Sequence, residues 1–133
     1  MVWKEKTVSE ITAKTSRGIH SHASTQFEVK STGIGSGAES GRWYLNSGVN
    51  YRSSYSLNVH LSPKVAEKFA NKYNVKDPSE LLGKTIQVKG TAQPTHYCVV
   101  PGCPPMSAVG QRRPKMYIQA QLLVTDLSNI SLL

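Results

Sequence analysis

The chain has 133 residues, enough for one domain with a hydrophobic core that needs neither disulfides nor metal to fold. With 38% hydrophobic and 18% charged residues the composition is that of a globular rather than a disordered chain, and no apolar run is long enough to span a membrane. Sixteen Lys and Arg against eight Asp and Glu give a formal net charge of +8, which favours anionic partners, while the dispersal of the basic residues argues against a basic tail. Residues 2–16 are polar with scattered apolar positions and read as a short helix or an edge strand, forming an N-terminal extension over 1–16. From Ser24 to Ile34, Phe27 and Val29 alternate with Gln26, Glu28 and Lys30, which is the period of a strand. Gly33, Gly35, Gly37 and Gly41 make the next stretch a flexible loop. Arg42–Ser47 is a second strand, with Trp43 and Leu45 on one face and Tyr44 and Asn46 on the other.

The most legible stretch follows. Leu57, Val59 and Leu61 alternate with Ser56, Asn58 and His60, so Tyr55–Leu61 is a third strand, half buried. Ser62 then sits at a helix N-cap and Pro63 at the first helical position. Val65, Ala66, Phe69 and Tyr73 recur at helical spacing and give that helix one core-facing stripe. Asp77-Pro78-Ser79-Glu80 repeats the start signal, with Glu80 three places after a capping Asp77, and Gly83 stops the turn. The helical part is thus expected over Ser62–Leu82. Ile86 and Val88 point inward from a fourth strand, Lys84 to about Thr91. Met116, Ile118, Ala120, Leu122 and Val124 define a fifth, and Ile130 marks a short closing strand in the tail. Between the fourth and fifth strands a long connection is expected over 93–114, rich in Pro and holding both cysteines.

A helix between the third and fourth strands of a small β-rich chain suggests an all-β domain with one helix, the five-stranded Greek-key barrel of the OB-fold, which often binds nucleic acid. The whole chain, 1–133, is expected to form one such domain.

Several stretches are similar to small bacterial OB-fold proteins of the tRNA-anticodon-binding-like group. They are Trp43-Tyr44-Leu45-Asn46-Ser47, Asn50-Tyr51-Arg52, Leu57–Leu61, Asp77-Pro78, the run from Gly83 to Gly90 and the final apolar strand. The resemblance covers about Thr25 to Ile130 and implies the fold more than an activity. The Gly83-Lys84-Thr85 run is not a phosphate-binding Walker motif, because its first glycine is absent and a strand follows it.

Nucleic-acid binding on such a fold needs a positive groove and aromatic faces. Stacking is expected from Tyr44, Tyr51, Tyr55 and Tyr117, and phosphate contacts from Arg52, Lys89, Arg112, Arg113 and Lys115. The preferred partner is single-stranded DNA or RNA, with little sequence preference. The competing reading is a non-enzymatic protein-interaction or scaffold domain that uses residues 97–106, or edge strands that self-associate. Catalysis is not indicated: the eight acids are scattered, and capping explains the closest pair, Asp77 and Glu80. No cofactor is implied. His20 and His22 share one face if their segment is a strand, and His96 with Cys98 and Cys103 offers three metal-ligating side chains, but a fourth ligand for these is not evident. Cys98 and Cys103 are open to a local disulfide, which would suit export, or to two free thiols, and nucleic-acid binding would suit the cytoplasm.

Overall fold

A computed structural model describes residues 3–50, 53, 55–98 and 116–133. The chain runs α1 (Val8–Thr15), β1 (Ser21–Glu28), β2 (Ser31–Ile34), β3 (Trp43–Asn46), β4 (Leu57–Leu61), α2 (Pro63–Tyr73), β5 (Thr85–Cys98), β6 (Met116–Val124) and β7 (Ile130–Leu132). Short 3-10 helices lie at Gly37–Glu39, Pro78–Leu81 and Leu127–Asn129. The described strands form one sheet in the order β1-β5-β6-β4-β3-β2, with β7 paired to β5 on the edge opposite β1. All pairings are antiparallel except β4 with β6.

The protein is mostly β-sheet, as alternation in the sequence requires. Among the described residues there are seven strands rather than the five main ones, and two features, the second of them the closing strand expected at Ile130, account for the difference. First, the single strand expected over Ser24–Ile34 is two. Val29 donates its N–H to the Lys84 carbonyl (2.8 Å), whereas Lys30 donates to the Asn46 carbonyl (2.9 Å). The chain therefore changes partner between these neighbours, leaving β1 on β5 and β2 on β3. Second, the tail adds β7 against Ile86–Val88.

The long connection also starts later than expected. Residues 93–98 belong to β5, paired with β6 from Gln93↔Gln121 to Cys98↔Met116. Pro94, within the expected connection, has no N–H to give a ladder. Partner β1 ends opposite Ala92, however, so beyond that point β5 is flanked by β6 alone among the described residues and has one open side. A proline is tolerated on such a flank.

The N-terminal segment is both of the elements it resembled. Lys4 and Lys6 bond the two sides of Ser24 as an edge bridge to β1. Helix α1 follows, started by a capping box in which Thr7 and Glu10 satisfy each other's backbone N–H. Its Ile11 is fully buried, so the segment contributes to the core rather than hanging from it.

Between β4 and β5 the capping signals act as written. Ser62 accepts from the Val65 N–H (3.4 Å), Pro63 opens α2, and Asn74 closes it in the left-handed conformation (φ 54°). Asp77 and Glu80 form a second capping box over the 3-10 turn. The expected Ser62–Leu82 helical stretch is therefore one helix and one separate turn. Phe69, Val65 and Ala66 bury the inner stripe of α2 against a core built from Leu45, Leu57, Val59, Leu61, Ile86, Val88, Leu122 and Val124.

Candidate functional site

Because Leu45, Leu57, Val59, Leu61, Ala120, Leu122 and Val124 face the core, the residues between them point to the opposite face of the sheet. Cross-strand register lines those residues up in two rows. One row is Ser31, Asn46, Asn58, Gln121 and Gln93, across five strands. The other is Gly33, Tyr44, His60 and Leu123. Thr91 and its partner His22 continue the outer face on β5 and β1, with His22 Nδ1 and Thr91 Oγ1 2.7 Å apart.

The amide row is tied together. Asn46 Nδ2 donates to Ser31 Oγ (3.2 Å), and Ser31 Oγ donates to the Gly48 carbonyl (2.7 Å). Ser56 Oγ donates to Asn58 Oδ1 (2.8 Å), and Gln121 Nε2 donates to Gln119 Oε1 (2.8 Å). Asn46, Asn58 and Gln119 are buried although they lie on the outer face. Buried amides are stable only when bonded, and here Asn46 is bonded to Ser31, Asn58 to Ser56 and Gln119 to Gln121.

In the neighbouring row the Tyr44 and His60 rings meet edge to face, with centroids 4.6 Å apart. Gly33 lets the Tyr44 ring lie close on β2: a Cβ there would sit 3.3 Å from Tyr44 Cδ2. Burial, with the Arg42 charge adding to it, pushes the His60 imidazole down to about 4. The ring is therefore neutral at pH 7 and acts as an aromatic surface rather than a cation. A cavity of about 360 Å³ opens here, lined by Arg42, His60, Thr91, Gln93, Gln121, Leu123 and Thr125. Among the described residues its lining holds one cation, Arg42, and no carboxylate.

Tyr44 and Lys89 both lie on this outer face. Tyr44 is half buried in the aromatic pair, and Lys89 sits on β5 two residues before Thr91, opposite Ser24. Tyr55 lies elsewhere. It is 82% exposed and lines a second, shallower hollow of about 380 Å³ with Thr7, Gln26, Glu28 and Lys30. Tyr117 pairs with Tyr97 in the β5–β6 ladder, and its side chain lies outside the described atoms. Tyr51, Arg52, Arg112, Arg113, Lys115 and Cys103 lie outside the described residues, and Cys98 ends β5.

The residues that sequence reasoning passed over are Arg42, His60, Gln93 and Gln121. The signal was present: every outward position of β3, β4 and β6 between Tyr44 and Gln121 is aromatic, amide or imidazole. What was missing was the strand order that sets them side by side.

Compared with known proteins, the chain matches no family model and no curated sequence.

Proposed function

We propose that the protein is a single-stranded nucleic-acid-binding domain of OB type, with the outer face of β3, β4, β6 and β5 as its interface. Three features support the barrel reading. Strands β1 and β2 stand at opposite ends of the sheet order, yet only Val29 and Lys30 separate them in the chain. Counted as one bent strand, they reduce the main strands to five, as the barrel reading requires. The parallel β4–β6 pair and the passage of the chain through α2 between β4 and β5 fit the same Greek-key plan.

The observation that carries the functional reading is the cavity beside the Tyr44–His60 aromatic pair, which has Arg42 in its wall and no carboxylate among the described residues that line it. Aromatic faces accept any base, and a cation beside them accepts the phosphate that follows it. The amides around them are largely committed to internal hydrogen bonds, so they stiffen the platform more than they read base edges. That favours stacking and backbone contact over sequence readout. The net charge of +8 draws a polyanion toward such a face.

The test is fluorescence anisotropy of a labelled mixed-sequence single-stranded oligonucleotide of about a dozen bases, a length that fills one OB site. Saturable binding that weakens as salt rises is the expected result. No binding at low salt by folded protein would refute the reading and turn attention to a protein partner.

A further inference from the structure

Helix α2 carries Lys64, Lys68 and Lys72, all exposed and one per turn. Residues four apart share a helix face, so these three ammonium groups follow one flank for about 12 Å. The flank borders the buried Val65 and Phe69 stripe, and Lys72 Nζ lies 5.2 Å from the centroid of the Tyr73 ring. Glu67 lies about 100° round the helix from Lys68.

The position of this flank relative to the cavity is fixed at two points. The Ser62 N–H donates to the Val124 carbonyl (3.2 Å), which docks the start of α2 on the end of β6, next to the cavity residue Thr125. Pro63 packs on Gly41, where an added Cβ would lie 3.3 Å from Pro63 Cβ, and Gly41 directly precedes the cavity residue Arg42. The flank turns the same way: the Lys68 charge helps to lower the Asp126 carboxyl, after the larger effect of the hydrogen bonds from Ser128. Asp126 Oδ1 accepts from both Ser128 N and Ser128 Oγ at 2.9 Å, which holds this carboxylate in place as the one acid coupled to Lys68 among the described residues. The stripe of lysines thus begins where the Arg42–Thr125 end of the cavity stops.

We propose that the Lys64–Lys68–Lys72 flank of α2 extends the interface, holding the phosphodiester backbone of a single-stranded nucleic acid that runs on past the outer-face cavity. This rests on the nucleic-acid reading of that face and adds to it a direction and a length. The contacts are made by point charges on flexible stems, so they are indifferent to sequence and sensitive to salt. Three such contacts steepen the dependence of log affinity on log salt by about 2 for a single strand, which is about 20-fold between 50 and 200 mM salt.

The test compares the unaltered chain with a K64Q/K68Q/K72Q variant, using labelled single strands of about six and about eighteen nucleotides at both salt concentrations. All three lysines are exposed, so the variant should keep its fold, checked by thermal melting. The short strand should bind both proteins equally. The long strand should bind the unaltered protein more tightly, and the variant should lose that advantage together with the extra 20-fold salt sensitivity (about 2 in slope). Equal binding of the long strand by both proteins would overturn the extension and leave the outer face intact. Failure of the short strand to bind the unaltered protein would overturn the outer-face reading, and the extension with it.

Discussion

His60 ties the candidate site to stability in a way that pH can isolate. Burial, assisted by the Arg42 charge, pushes its imidazole down to about 4, against an ordinary value of 6.5 in the unfolded chain. Below pH 6.5 the unfolded state takes up a proton that the folded state refuses, so stability falls as pH falls, and the loss levels off below pH 4. Linkage between those two values gives a loss of about 2 kcal/mol from pH 7 to pH 5, and about 3 kcal/mol by pH 4. Asp77 and Asp126, both held below the ordinary carboxyl value by hydrogen bonds from Ser128 or Ser79, act in the same direction but below about pH 4. Of these three shifted groups, His60 is the one whose shift acts between pH 7 and pH 5. The assay is urea unfolding at pH 7 and pH 5 for the unaltered protein and for His60→Gln. Comparing the two proteins removes the titration of every other group. The unaltered protein should lose about 2 kcal/mol more than the variant across this interval. An equal loss in both would show that His60 is not desolvated in the folded state, and would remove the buried aromatic pair from the site.

Four further outcomes follow from the same geometry. Tyr44→Ala should weaken single-strand binding by about 1–3 kcal/mol by anisotropy, and Arg42→Ala should lower the salt slope by about 0.7; no change in either would move the interface off the outer face. Phe69→Ala empties a fully buried site between α2 and the sheet and should cost about 3–5 kcal/mol in chemical denaturation; a cost under about 1 kcal/mol would mean that the helix is not docked as described. Gly41→Ala forces a side chain into the left-handed region (φ 85°) and against Pro63, so a loss of about 1–2 kcal/mol is expected in thermal melts; an unchanged melting temperature would argue against the close approach of the β2–β3 connection to α2.

Local signals in this chain were strong where residue chemistry acts over a few positions. Ser62-Pro63 and Asp77-Pro78-Ser79-Glu80 cap helical turns in the structure as their spacing predicts, because a cap is a bond between neighbours. The Met116–Val124 strand has the bounds its alternation gives. Weaker signals failed for nameable reasons. The Ser24–Ile34 strand reads as continuous because alternation carries no record of which partner each residue bonds, and the break at Val29–Lys30 is a change of partner. Pro94 falls within the expected connection yet lies in β5, because its missing donor matters only when strands lie on both sides.

The site divides along the same line. Tyr44, Asn58, His60 and Gln121 could each be assigned to an outward face from the sequence, since a period of two is enough for that. Their assembly could not. Tyr44 and His60 are sixteen residues apart and His60 and Leu123 sixty-three, and only the β3–β4 and parallel β4–β6 pairings bring them into one row. The depressed His60 pKa likewise requires burial and the Arg42 charge together, neither of which a strand pattern contains. By itself the sequence determined the periods, the caps and the positive charge, all set by covalent neighbours and composition. The tertiary structure decided which outward residues share a surface, because strand order is settled by long-range pairing and by the burial of the core face as a whole.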